Sequence, residues 1–130
     1  MAQTPRVRDV MMPDFLKLDG VTRVSDALRR MQDGNMHVAL VEPRNEDDVY
    51  GIMTLKDVAR KVIGERLKVH ETHVYEIMSK PVLSVQASMP IPYAARLLTN
   101  FNVSYAMVME SNDVVGMISL NGIVKNWREE

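Results

Sequence analysis

The chain has 130 residues, of which 46% are hydrophobic and 25% charged, and its 16 basic and 17 acidic side chains give a formal net charge of −1 at pH 7. This size and composition are typical of a compact globular protein that folds without disulfides or a structural metal. The balanced charge argues against nucleic-acid binding, and the absence of cysteine excludes thiol catalysis, disulfide scaffolds and zinc fingers.

The N-terminal stretch MAQTPRVRDVMMPDF lacks the apolar segment of a secretory signal. No apolar run approaches the ~20 residues that a membrane-spanning helix needs. We therefore expect a cytoplasmic protein that does not insert into a membrane.

The first half of the chain predicts the order strand, helix, strand, strand, helix. An extended segment covers Phe15–Leu18, and the next helix begins after an N-cap at Thr22 and stops at Gly34. Its apolar positions fall at helical spacing: Val24, Ala27, Leu28 and Met31. HVALVE and VYGIMT predict two strands that flank the polar loop PRNEDD. LKDVARKVIG predicts a closing helix whose inward positions are Val58, Val62 and Ile63.

The second half repeats this order. VRDVMMPDFLKL is similar to VYEIMSKPVLSV, so that Met11 matches Met78 at a shift of 67 (78 − 11). GIMTLKD matches GMISLNG at a shift of 65 (116 − 51), so the first copy has two extra residues, which fall in the polar loop. The expected division is residues 1–66 for the first repeat, with the N-terminal segment, and residues 67–130 for the second.

The doubled order and the paired motifs VRDVM with VYEIM and GIMTLKD with GMISLNG resemble a tandem pair of cystathionine-beta-synthase (CBS) domains, called a Bateman module. The resemblance covers about Arg6 to Trp127. It implies an α/β (α+β) fold in which two β-α-β-β-α repeats pack sheet to sheet around a pseudo-twofold axis. It also implies a stand-alone, non-enzymatic regulator that binds AMP, ADP, ATP or S-adenosylmethionine in a cleft between the repeats, forms a homodimer and signals to an effector protein.

The turn Thr54-x-x-Asp57 carries two interpretations. Thr-x-x-acid before an apolar helix is a capping box, in which the threonine caps the helix and the acid bonds back to the cap. Alternatively, the threonine hydroxyl donates to a phosphate at the helix start, while the ionised aspartate accepts from two ribose hydroxyls. The two roles can coexist for Thr54. In the second copy the matching residues are Ser119 and Gly122, with Asn121 one position away, so we expect two unequal sites.

Other candidate contacts follow from the resemblance alone. At the position where the family often supplies a basic phosphate partner, this chain has His37 in one copy and Ser104 in the other. Tyr105 either stacks on a base or belongs to the core or to an interface. The candidate ligand contacts other than the two turns are Met11, Met12, Leu16, His37, Val38, Gly51, Ile52, Met78, Ser79, Ser104, Tyr105 and Ala106.

Catalytic and metal sites are not predicted. His70 and His73 in HETH are too few ligands for a metal, and the chain has no nucleophile elbow, P-loop or zinc-hydrolase motif. The alternative function is a dimeric protein-interaction module that needs no ligand, which the missing carboxylate at Gly122 favours.

Overall fold

The computed structural model describes residues 4–128. Its helices in chain order are α1 (Val7–Val10), α2 (Val24–Asp33), α3 (Leu55–Val58), α4 (Val74–Ile77), α5 (Ile91–Asn100) and α6 (Leu120–Asn126), and a π-helical segment, Ala59–Ile63, continues α3. The strands are β1 (Leu16–Leu18), β2 (Val38–Val41), β3 (Gly51–Thr54), β4 (Ser84–Gln86), β5 (Tyr105–Glu110) and β6 (Asp113–Ser119).

The described chain divides into two compact units. The first unit is residues 15–82. The second unit is residues 4–14 together with residues 83–128. Each unit has a three-stranded sheet in the order β1-β2-β3 or β4-β5-β6, with one parallel and one antiparallel pair. The predicted α/β class and the repeated order of strands and helices are confirmed.

The core of the first unit lies between its sheet and its helices. Strand β2 is buried along its whole length because it is the central strand. Helix α2 contributes the side chains that the helical spacing selected, with Leu28 packed at the edge. The buried cluster contains Leu18, Val24, Ala27, Met31, Ala39, Val41, Met53, Val58, Val62, Val74 and Ile77.

Two local predictions in the first unit are wrong. The N-cap of α2 is Arg23, not Thr22, and no side chain within residues 4–128 caps the helix. The first helical N–H, on Val24, instead donates to the carbonyl oxygen of Thr72 at 2.8 Å, so a backbone carbonyl just before α4 takes the place of the predicted Thr22 hydroxyl. Ile63 is 67% exposed, because it directly follows the buried Val62 and adjacent helical residues point in different directions.

The second unit is built around a cluster that includes Val7, Val85, Ile91, Leu98 and Ile118. Helix α1 therefore packs in the unit formed mainly by the second sequence copy, although it precedes the first copy in the chain. Helix α4 does the reverse and packs in the first unit. The compact units thus exchange their short leading helices, while the division of the sequence at residue 66 stays a prediction.

Within residues 4–128, no helix combines the length and the hydrophobicity needed to cross a membrane. The longest helices have 10 residues each.

Candidate functional site

The turn between β3 and α3 is a complete capping box. Thr54 Oγ1 accepts the N–H of Asp57 at 3.1 Å, and Asp57 Oδ2 accepts the N–H of Thr54 at 2.8 Å. The Thr54 hydroxyl lies 3.0 Å from the same carboxylate oxygen and donates to it. These bonds confirm the capping interpretation. The ligand role of the two residues stays a prediction.

Asp57 is a buried carboxylate, with 7% of its surface exposed. Its second oxygen, Oδ1, lies 3.6 Å from Nζ of Lys61, one helical turn later. The Lys61 ammonium also donates to the carbonyl oxygen of Ile77 at 2.9 Å, which ties α4 to this turn. The charge of Asp57 is therefore balanced within the first unit, as a buried charge requires.

The backbone donors at the start of α3 are already partly used. The Leu55 N–H donates to the carbonyl oxygen of His37 at 3.1 Å, and the Asp57 N–H donates to Thr54. An anion at this helix start therefore competes with two internal acceptors. In the same way, the Thr54 hydroxyl must leave Asp57 before it can donate to a phosphate.

The other predicted residues of the first unit lie on the same sheet. Val38 pairs with Thr54 across β2 and β3, and Leu16 pairs with Ala39 across β1 and β2. His37 is exposed and directly precedes β2 beside the turn. Beyond α4, Ser79 forms an antiparallel bridge with Ile52, with two backbone hydrogen bonds of 2.9 Å.

Gly51 permits this close approach. A Cβ at position 51 would lie 2.8 Å from Sδ of Met78, closer than real Cβ contacts. The structure thus brings Gly51, Ile52, Thr54, Asp57, Met78 and Ser79 to one edge of the first unit.

The second unit repeats this edge with other residues. Met12 and Met117 exchange backbone hydrogen bonds of 2.7 and 3.1 Å, and a Cβ on Gly116 would lie 2.8 Å from Sδ of Met11. Met11 and Met12 therefore accompany β6 rather than β3. Tyr105 pairs with Ser119 across β5 and β6.

The turn of the second unit has only half of the capping box. Ser119 Oγ accepts the N–H of Gly122 at 2.9 Å, and no carboxylate of the described chain returns to the cap. The carbonyl oxygen of Ser104 accepts the N–H of Leu120 at 3.0 Å, as that of His37 does for Leu55. Among the residues that the structure describes, Ser119 Oγ has no acceptor for its proton. Asn121 is exposed.

Ala106 lies on β5 and is buried in the core of the second unit, so its side chain is not exposed to a ligand. Burial raises the pKa of the Tyr105 phenol, which keeps this side chain neutral over a wide pH range.

Two contributions to the first unit's site escaped sequence reasoning. Lys61 is half-buried beside Asp57, and its i, i+4 spacing from the carboxylate was the available signal. Asp48, in the polar loop, receives a 2.7 Å hydrogen bond from Lys80 Nζ. That bond, with backbone donors from the loop, holds the pKa of Asp48 well below its usual range. No local pattern connects two residues 32 positions apart.

In the described part of the chain, which includes the HETH segment, no three His, Cys, Asp or Glu side chains cluster closely enough to hold an ion. His73 pairs instead with Glu76, the two side chains lying 3.3 Å apart, and its N–H caps α4 through the same carboxylate at 2.7 Å.

Comparison with known proteins identifies one domain family whose model matches the chain twice. The model of the CBS domain matches residues 7–64 and residues 74–129. The hexameric CBS-CP12 protein from bloom-forming cyanobacteria has a similar structure, with a TM-score of 0.90, 30% identity, and coverage of 96% of this chain and 69% of that one. The CBS domain pair of protein MJ0100, solved with 5'-methylthioadenosine and S-adenosyl-L-methionine, has a TM-score of 0.78 at 21% identity, with 95% of each chain covered.

A curated relative is the L-aspartate semialdehyde sulfurtransferase of Methanosarcina acetivorans, which is 29% identical over 123 residues. Those residues are 93% of this chain and 23% of that protein. The chain spans between about a fifth and about half of the length of the curated relatives it matches.

Proposed function

The chain belongs to the CBS-domain family and contains two copies of the domain, and from this premise we propose that it is a regulatory module that binds an adenosine-type ligand at the Thr54–Asp57 turn. The observation that carries the proposal is the buried, ionisable carboxylate of Asp57 at the edge where Gly51 and Ser79 come together. The MJ0100 domain pair, which shares the fold, was solved with two adenosine compounds.

Asp57 keeps acceptor capacity for such a ligand. A carboxylate offers about four lone-pair sites, and the two donors from Thr54 both bond to Oδ2. Among the described residues, the polar neighbour of Oδ1 is Lys61 Nζ at 3.6 Å, which is longer than a hydrogen bond. Two neighbouring ribose hydroxyls can therefore donate to Oδ1, and hydrogen bonds to a charged acceptor are stronger than neutral ones. The half-buried side chains of Ile52 and Met78 provide apolar surface for the base.

The proposal includes no catalytic step. A ligand at this turn acts only through different affinities for different states of the protein or its assembly. AMP, ADP, ATP and S-adenosylmethionine are the candidate ligands. The homodimer, the cleft between the repeats, the effector protein and the cytoplasmic location stay predictions.

A second candidate function is an interaction module without a ligand. It is favoured by the internal contacts of Asp57, which already balance its charge, and by the missing carboxylate at Gly122. In this case the turn serves only to start α3.

The decisive experiment compares AMP with 2'-deoxy-AMP by isothermal titration calorimetry, on the native chain, on Asp57→Ala and on Glu76→Ala. Glu76 makes the same capping contact on α4 and is the matched control. We expect AMP to bind the native chain and the control about tenfold more tightly than 2'-deoxy-AMP, as the loss of one charge-assisted hydrogen bond predicts. The ratio should fall to about one in Asp57→Ala.

An unchanged ratio in Asp57→Ala would remove the ribose role of this residue. If the native chain binds none of AMP, ADP, ATP and S-adenosylmethionine, the interaction module without a ligand is the better function.

A further inference from the structure

Two neighbouring grooves lie along the exposed face of α5 in the second unit. Their volumes are about 570 and 560 Å³. Both are lined by Pro90, Tyr93 and Arg96, so they form one continuous surface feature, which we call the α5 groove. It continues toward Arg6 at one end and toward Asn100 at the other.

The charge of the α5 groove is of one sign. Among the described residues that line it, Arg6 and Arg96 are charged and no acidic side chain is present. The Arg96 guanidinium lies over the Tyr93 ring, 5.2 Å from its centroid, and Arg6 donates to the carbonyl oxygen of Ser88. Both cations are therefore held in place before any partner arrives, which lowers the entropy that a partner must offset.

The shape of the groove suits a chain segment better than a small molecule. Small-molecule sites enclose most of their ligand, whereas Tyr93 is 55% exposed and Arg96 is exposed as well. Helix α5 has 10 residues, so its face is about 15 Å long at 1.5 Å per residue. An extended peptide covers that distance with about five residues. Exposed tyrosine beside proline is also the kind of surface on which extended proline-containing segments bind.

The matching position on α2 of the first unit carries an arginine with a different neighbour. Arg29 matches Arg96 at the repeat shift of 67 (96 − 29), and it lies 3.4 Å from Asp26, three residues earlier on α2. Its charge is compensated locally, and it lines neither groove. The two matched arginines thus differ, because Arg29 lies beside a carboxylate whereas Arg96 lies over the Tyr93 ring.

We propose that the α5 groove is a docking site for an extended acidic segment of a partner protein, in which carboxylates alternate with proline. The carboxylates bond to Arg6 and Arg96, and the prolines pack on Tyr93 and the neighbouring prolines of the groove. This surface is independent of the Thr54–Asp57 turn and does not depend on a ligand there.

The test uses ¹⁵N-labelled protein and the synthetic peptide acetyl-Glu-Pro-Glu-Pro-Glu-amide, followed by NMR chemical shifts at low ionic strength. We expect the amides of α5 and of Arg6 to shift with the peptide, and the shifts to be absent with the lysine analogue acetyl-Lys-Pro-Lys-Pro-Lys-amide. Arg96→Glu should weaken binding at least about tenfold, since it places a like charge against the peptide. Arg29→Glu, the matched control on α2, should bind as the native chain does.

Other outcomes overturn the proposal. Equal binding by Arg96→Glu and the native chain would show that the groove is not the site. If inorganic phosphate, at a concentration equal to that of the peptide's carboxylates, shifts the same amides equally, the two arginines bind a small anion instead. If Arg96→Glu or Tyr93→Ala changes the sedimentation coefficient of the unliganded protein, a second copy of the chain occupies the groove.

Discussion

Replacement of Asp57 by alanine should destabilise the protein by about 2 kcal/mol, because the change removes a charge-assisted hydrogen bond to the helix cap. The two bonds at Oδ2, from the Thr54 N–H and hydroxyl, account for most of this loss. The pair with Lys61 contributes less, about 0–1 kcal/mol, because the lysine side chain is 32% exposed and solvent screens the pair.

Thermal unfolding measures this loss directly. Unfolding entropies of about 2.1 cal/mol/K per residue give about 0.27 kcal/mol/K for 130 residues. A loss of about 2 kcal/mol therefore lowers the Tm by about 7 °C. Asp57→Asn should lie between the native chain and Asp57→Ala, because its amide oxygen still accepts the Thr54 N–H while its NH₂ group faces Lys61.

Two comparisons make the expectation refutable. Glu76→Ala removes a similar cap from an exposed position and should lower the Tm less than Asp57→Ala. A double-mutant cycle with Lys61→Met separates the ion pair from the cap. If Asp57→Ala lowers the Tm no more than Glu76→Ala does, the buried carboxylate does not stabilise the turn, and the reasoning from its hydrogen bonds is wrong.

Three further changes test other parts of the structure. Gly122→Asp should raise the Tm, because an acid at this position completes the cap of α6 and glycine costs about 0.5–1 kcal/mol within a helix; an unchanged Tm would show that the tight contact at 3.0 Å cancels the gain. Gly116→Ala should lower the Tm more than Gly51→Ala, because its Cβ would lie 2.8 Å from a backbone carbonyl oxygen as well as from a methionine sulfur, whereas only flexible side chains crowd position 51; equal losses in differential scanning calorimetry would contradict this. Because the pKa of Asp48 is lowered from its usual value of 3.8, its contribution to stability is complete above pH 3.8 and is lost as the pH falls below 3.8, where the unfolded state binds the proton more readily. Lys80→Met should therefore flatten the dependence of the Tm on pH between about pH 5 and pH 3. An unchanged dependence would exclude the Asp48–Lys80 pair as a source of the acid sensitivity.

Local features of the sequence predicted much of the fold. The spacing of Val24, Ala27 and Met31 identified the buried face of α2, and the Thr-x-x-Asp pattern identified the cap of α3. Both depend on contacts within four residues, which the order of amino acids fixes directly. The repeat doubled the information, since each half supported the assignment of the other.

Long-range contacts were beyond this reasoning. Helix α1 packs with a sheet more than 70 residues later in the chain, beside Met89, whose carbonyl oxygen accepts the Val7 N–H at 2.8 Å (89 − 7 = 82 positions). Helix α4, with a similar sequence, packs in the other unit. Nothing in either segment says which copy it joins, because both copies offer a glycine at the same strand position, Gly51 or Gly116.

The two turns have diverged toward opposite hydrogen-bonding chemistry. In the first unit the Thr54 hydroxyl donates its proton to Asp57. The turn therefore presents the lone pairs of a carboxylate to a ligand, but no free hydroxyl proton. In the second unit Ser119 accepts the N–H of Gly122, and among the described residues no acceptor takes its hydroxyl proton and no carboxylate returns to the cap. Groups that donate, such as ribose hydroxyls, therefore suit the first turn, and groups that accept, such as phosphate or carboxylate oxygens, suit the second. Substitution of Asp57 should thus change the affinity for a ligand according to its hydroxyl groups and not according to its charge. The comparison of AMP with its deoxy analogue is therefore more informative than a comparison of AMP with ATP.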